Sequence, residues 1–231
     1  MADQDALKAA AAAAALELVR DGMLLGLGTG STAAIFIDLL GERVKAGLRV
    51  TAIATSRRSQ EQAAALGIPV VEEIEGAVDL AVDGADEIDP QLHLLKGRGG
   101  ALVREKLVAL AARRFVVVAD ETKLVPRLGV GVLPVEILPF MWRGTVARVQ
   151  ALGCQDWTLR GGLDSTFVSD NGNRVVDFTI REGIEDPVAF GTRLKGVPGV
   201  VEHGLFIGLA TGCLVAAEGG VRVLGSLESA R

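Results

Sequence analysis

"MLLGLGTGSTAAIFIDLL", residues 23–40, decides the fold. Its first residues form a short continuous apolar run, the pattern of a strand buried on both faces. Glycines at 26, 28 and 30 then break the run. Ser31 follows as the expected N-cap of a helix whose apolar residues recur at helical spacing. Strand, glycine loop and helix in that order open a βαβ unit. Outward from it the same alternation continues. Before it, "DALKAAAAAAALELV" reads as an alanine-driven helix stopped at Asp21-Gly22. After it, "RVTAIAT", "IPVV", "AVDLAVDG" and "RFVVVAD" read as strands, and "SRRSQEQAAALG" and "GGALVREKLVALAA" as helices. Apolar strands alternating with helices predict an α/β fold, a Rossmann-like and mainly parallel sheet covered on both faces. Such sheets bind ligands beyond the carboxyl ends of their strands.

Near Gly129 the texture changes. "VGVLPVEILP" carries two prolines, and a helix, "WRGTVARVQALG", follows. Then come "DWTLRGG", "STFVSDNGNRVVDFTI" with a hairpin signal at Asn171-Gly172, and the helix "DPVAFGTRLKG". This predicts a smaller α+β domain with an antiparallel sheet. The tail, from Leu205, reads as short strands around Gly219-Gly220 that return to the first domain. The expected division is residues 1–129 plus 206–231 for the Rossmann-like catalytic domain and 130–205 for the smaller one, the expected subunit interface.

The formal net charge of −5 over 231 residues argues against a nucleic acid or an anionic membrane as partner. Cys154 and Cys213 form no paired motif, so a disulfide framework or zinc site is not expected, and buried free thiols in a reducing cytoplasm are. Two histidines give a His-based triad or metal site little material. Asp3 and Asp5 stand where a signal peptide would be basic, and no run of apolar residues is long enough for a membrane span.

Three loops carry chemistry. "GLGTGSTA" (26–33) offers glycines, the hydroxyls of Thr29, Ser31 and Thr32, and a helix start, which together suit a phosphate. Serine at 31 breaks the dinucleotide spacing, and no Lys-Ser/Thr pair follows, so a simple sugar phosphate fits better than a nucleotide. "AVDGADEID" (81–89) crowds four carboxylates at a strand end. Gly84 and Ala85 keep the backbone compact, so that Asp83 and Asp86 can bracket a polyol, while Glu87 and Asp89 are expected to be solvated. A magnesium site is the rival reading of this cluster. "KGRGGALVREK" (96–106) places Lys96 beside Gly97, Arg98 and Gly99, and Glu105 in roughly the second turn of the helix behind, its side chain leaning back toward the loop.

In order and spacing, these three motifs resemble ribose-5-phosphate isomerase of the A type, and "LPVEILP", "DNGN" and "PGVVEHGLF" extend the resemblance over nearly the whole chain. The resemblance implies a two-domain enzyme without metal or cofactor that interconverts ribose 5-phosphate and ribulose 5-phosphate. It puts the catalytic base on Glu105, the two motif aspartates on Asp83 and Asp86, and the lysine on Lys96. It puts the substrate loop on Thr29, Gly30, Ser31 and Thr32, with Lys8 and Lys123 as further phosphate ligands. It implies a homodimer or homotetramer. One departure is visible: many relatives read K-G-G-G, where this chain has Arg98, whose contact with ligand or solvent stays open. The alternatives are a related sugar-phosphate isomerase or deaminase, and a sugar-phosphate sensor without turnover.

Overall fold

The computed structural model describes residues 4–228. In chain order its elements are α1 (Gln4–Leu16), β1 (Leu24–Leu27), α2 (Ser31–Lys45), β2 (Thr51–Ala54), α3 (Arg57–Ala65), β3 (Leu80–Asp83), β4 (Glu87–Ile88) and β5 (Leu94–Leu95). They continue with α4 (Leu102–Ala111), β6 (Phe115–Asp120), a 3-10 turn (Glu121–Lys123), β7 (Leu133–Ile137), α5 (Trp142–Gln150), β8 (Asp156–Leu159) and β9 (Arg174–Thr179). The last are α6 (Pro187–Lys195), β10 (Val200–His203), β11 (Leu205–Phe206), β12 (Gly212–Ala217) and β13 (Gly220–Gly225). The chain divides into two units. The first takes the chain up to Ala85, Arg104–Lys123 and the chain from Gly208 onward; the second takes Asp86–Val103 and Leu124–Ile207.

The first unit is built on a six-stranded sheet of order β13-β12-β6-β3-β1-β2. All its pairings are parallel except the β12–β13 hairpin at the edge. The parallel strands read as continuous apolar runs because helices cover them; all of β6 is buried. Alanine does more in α1 than favour the helix: Ala11, Ala12 and Ala15 are fully buried, and their small side chains let the helix lie close on the core. Phe36, Ile37 and Leu40 of α2 fill the same core. The tail returns as expected, β12 adding in parallel beside β6. Two local expectations are corrected. Ser31 is the first helical residue of α2, and the N-cap is Gly30, whose φ of 119° a side chain rarely adopts. "IPVV" contributes one parallel bridge, Ala52 to Val70, rather than a strand, since Pro69 has no N–H with which to extend a ladder.

The second unit has a four-stranded antiparallel sheet of order β10-β7-β9-β8 and a small sheet of order β11-β5-β4. Leu133, Val135, Ile137 and Phe178 of the larger sheet pack with Trp142, Val146 and Val149 of α5 and Phe190 and Leu194 of α6. Trp142 also meets Trp157 edge-on, ring centroids 5.8 Å apart. The turn at Asn171-Gly172 is present, but the arm before it shrinks to one bridge, Val168 to Arg174, and β9 pairs with β7 and β8. The unit boundary also differs from the expected one. Residues 86–103, 124–129 and 206–207 belong to the second unit. The reason is pairing: β5 lies between β4 and β11, and the Glu87 carboxylate binds the backbone of Gly129.

Candidate functional site

In the first unit the glycine loop leaves β1 and is fastened to β3. Gly28 N–H donates to the Val82 carbonyl at 2.9 Å. A Cβ at Gly28 would lie 2.2 Å from Asp83 Oδ1, so only glycine lets that carboxylate rest on the loop. Asp83 ends β3, is 3% exposed, and accepts from Thr29 N–H at 3.0 Å and Gly84 N–H at 2.7 Å through the same oxygen. Charge-assisted bonds of this kind hold the carboxylate in one orientation. Thr29 is committed inward: its Oγ1 lies 2.7 Å from Thr55 Oγ1 and 2.9 Å from Ser56 Oγ. Ser59 adds a bond from Oγ to the Gly28 carbonyl at 2.7 Å, and Ser56 caps α3. The loop thus stands on a cluster of hydroxyls that sequence reading missed. Ser31 and Thr32 open α2, whose first intrahelical bond is Ala34 N–H to the Gly30 carbonyl. The earlier N–H groups of the helix and its positive dipole end suit an anion.

Glu105 lies in the first turn of α4, one turn earlier than expected because the helix begins at Leu102. It is 4% exposed and lines a narrow crevice with Asp83, Gly28 and Thr55. The two carboxylates and the glycine loop named from sequence are therefore brought together. Lys123 closes the 3-10 turn after β6, the strand beside β3. Asp120 holds that turn, its Oδ1 accepting from the N–H and the hydroxyl of Thr122. Burial pushes the Asp120 carboxyl up, but the Thr122 bonds and the Lys123 charge outweigh it and hold it below the usual carboxylate range. Lys8 sits on α1, 3.0 Å from Asp5.

In the second unit Lys96 follows β5 and is 3% exposed. Its N–H donates to the Gly204 carbonyl at 2.8 Å, and its ammonium lies 5.5 Å from the Phe206 ring centre. Asp86 accepts from Arg98 N–H at 3.1 Å through Oδ2. The Arg98 guanidinium sits 3.8 Å from Asp86 and 3.9 Å from Glu87, and its side chain stays 46% exposed. Glu87 and Asp89 are corrected: they are 3% and 6% exposed, not solvated. Glu87 accepts from Gly129 N–H at 2.7 Å, from Val130 N–H at 3.3 Å and from Gly131 N–H, and Asp89 accepts from Gln91 and His93 N–H. Each carboxylate is occupied by the backbone of a turn. Among the described residues no group of three or more His, Cys, Asp or Glu is placed to hold a metal ion.

A family model for ribose 5-phosphate isomerase A (phosphoriboisomerase A) matches residues 51–220. The chain belongs to the ribose 5-phosphate isomerase A family. A ribose-5-phosphate isomerase A of Nitrobacter hamburgensis is 48% identical over 228 residues, covering 95% of this chain and 97% of that one. The solved ribose 5-phosphate isomerase A of Methanocaldococcus jannaschii matches with a TM-score of 0.91 at 38% identity, over 97% of this chain and all of that one. A solved D-ribose-5-phosphate isomerase in complex with phospho-erythronic acid matches with the same TM-score at 37% identity, over 97% of this chain and 100% of its own. The family read from three loops is the family found, and its solved members share the α/β fold. No helix among the described residues is long and apolar enough to cross a membrane.

Proposed function

We propose that this protein interconverts D-ribose 5-phosphate and D-ribulose 5-phosphate through an enediolate, in the non-oxidative pentose phosphate pathway. The reaction moves a proton between C2 and C1 and another between the two oxygens; the molecule keeps its oxidation level, so no redox cofactor is called for. Glu105 takes the C2 proton of the open-chain aldose and returns it to C1. Asp83 exchanges the hydroxyl protons and assists ring opening, and Asp86 orients hydroxyls. Lys96 offsets charge developing on the oxygens. The residue 29–32 loop, by its backbone and the hydroxyls of Ser31 and Thr32, holds the phosphate, with Lys123 and Lys8 as its cationic partners, and this binding orients the reacting carbons. Gly84, Gly97 and Gly99, with the small Ala85, let the backbone come close to the sugar. The phospho-erythronic acid of the solved relative supports this reading, since it joins a phosphate to a carboxylate of enediolate-like charge.

One observation carries the assignment: Glu105 is buried in the crevice that Asp83 lines under the phosphate loop. Glu105→Gln is expected to lower kcat by about a thousandfold while the variant still binds phospho-erythronic acid by calorimetry. Turnover near the parent value would overturn the role. Activity is also expected to survive EDTA; its loss, with recovery on magnesium, would bring back the metal reading of the acidic cluster. A homodimer or homotetramer in the cytoplasm completes the proposal. Exposed Leu138, Phe140 and Met141 support an interface on the smaller unit.

A further inference from the structure

Arg160 follows β8 and lies in none of the motif loops. It is held by Asp177 on the neighbouring strand β9, Nε to Oδ2 at 3.0 Å and Nη2 to Oδ1 at 2.5 Å, a two-pronged pair with both side chains 17% exposed. The third nitrogen, Nη1, donates to the carbonyls of Gly97 at 2.9 Å and Arg98 at 3.2 Å. The Gly97 carbonyl and the Arg98 N–H belong to one peptide group. In a trans peptide these two point in opposite directions. That N–H is the donor to Asp86 Oδ2. The order is therefore Asp177, Arg160, the 97–98 peptide, Asp86, all within the second unit. A cation on the carbonyl polarises the peptide and strengthens the donor on its far side. Phe167 backs the same loop: its ring lies 5.7 Å from the Arg160 guanidinium, and a Cβ at Gly100 would be 2.3 Å from it.

We propose that the Asp177–Arg160 pair is a positioning device for the isomerisation, which fixes the 97–98 peptide and through it the Asp86 carboxylate. The proposal rests on the reading that Asp86 orients substrate hydroxyls. Lysine at 160 would keep the charge but lose the fork that grips Asp177 and the loop together. Losing a charge-assisted bond of this kind corresponds to about a tenfold effect, and it should fall on kcat more than on KM.

The test is a double-mutant cycle on the full-length protein with Arg160→Lys and Asp86→Asn. Arg160→Lys alone is expected to lower kcat about tenfold. In the Asp86→Asn background the same change is expected to lower it by less than about twofold, because the group it positions is gone. An equal loss in both backgrounds, or a fall in thermal midpoint with kcat of the folded protein unchanged, would reduce the pair to a structural staple and overturn the proposal. If Asp86→Asn alone turns over like the parent, the assigned role of Asp86 fails first, and the proposal with it. Should Arg160→Lys not fold, Asp177→Asn, which keeps the acceptor's shape, takes its place in the cycle with the same expected outcomes.

Discussion

The glycine loop of the first unit and the lysine loop of the second have the same task of holding a carboxylate by backbone N–H, and they are supported by different physics. The first leaves a four-residue strand inside a parallel sheet. Its neighbours are the backbone of β3 and a set of hydroxyls, and Gly28 meets Asp83 with no room between. The second leaves a two-residue strand of a small sheet, which offers few ladder bonds. Charged side chains make up the difference: Arg160 grips its carbonyls, Arg98 leans on Asp86, and Glu87 gathers three N–H groups from residues 129–131. One support is steric and the other ionic, so small changes of volume should damage the first and small changes of charge the second.

Among changes to the supports of the two loops, the largest effect is expected from Gly28→Ala. Its methyl group would sit 2.2 Å from Asp83 Oδ1, so either the carboxylate or the loop must shift. Displacing a reacting group by an ångström is expected to lower kcat/KM about a hundredfold, with overpacking costing about 1–3 kcal/mol of stability. Steady-state kinetics and urea unfolding measure both, and parent-like kinetics would break the steric half of the comparison. The ionic half is tested by Glu87→Ala, which removes the acceptor of three backbone N–H groups. A loss of about 3 kcal/mol in unfolding free energy is expected. Glu87→Gln, which keeps one acceptor oxygen, should recover part of it; if alanine and glutamine variants are equally stable, the nest of N–H groups is not what Glu87 is there to hold.

What was legible follows the same division. Periodicity gave the strands and helices of the first unit, because a strand buried on both faces and a helix with an apolar face leave marks in every residue they contain. The glycine loop, Asp83 and Glu105 were readable because strand ends and helix starts locate them. Ser31 stands one residue past the cap, since the capping position depends on the φ of Gly30 and not on which side chain favours caps. Glu87 and Asp89 look solvated in the sequence because their partners are backbone N–H groups, which no residue letter reveals. The Arg160–Asp177 pair was invisible for a different reason. It joins residues 17 apart in the chain and exists only in the register that sets Thr158 opposite Asp177, and antiparallel register is not written in either strand alone.

The two thiols give each unit its own reporter. Cys213 lies in β12 of the first unit and Cys154 in the second, both buried and free. Burial pushes the Cys213 thiol up to about 12. Burial pushes Cys154 up to about 11, against the partial pull of the Arg193 charge. The folded protein therefore keeps protons that an unfolded chain releases near pH 9. Stability is intact below that pH and falls as pH rises toward 11, by about 1.4 kcal/mol per pH unit for each thiol, which urea unfolding at pH 8, 9 and 10 measures. If support in the second unit is ionic, Glu87→Ala should also quicken labelling of Cys154 by a thiol reagent and leave Cys213 at the parent rate. Equal acceleration at both would show that the units open together.

Arg98→Gly should have the smallest effect. The side chain is 46% exposed, and its contacts at 3.8 and 3.9 Å are long for an ion pair. Exposed pairs of this kind contribute less than about 1 kcal/mol and are screened by salt. Asp86 also keeps its main donor, because the bond comes from the backbone N–H of residue 98, which glycine supplies equally well. A change in kcat within about threefold is expected, shrinking as salt is added. A tenfold rise in KM for ribose 5-phosphate at constant kcat would instead make Arg98 a ligand of the substrate phosphate. In that case charge in the second unit would serve recognition as well as support, and the division between a steric and an ionic loop would have to be redrawn at this residue.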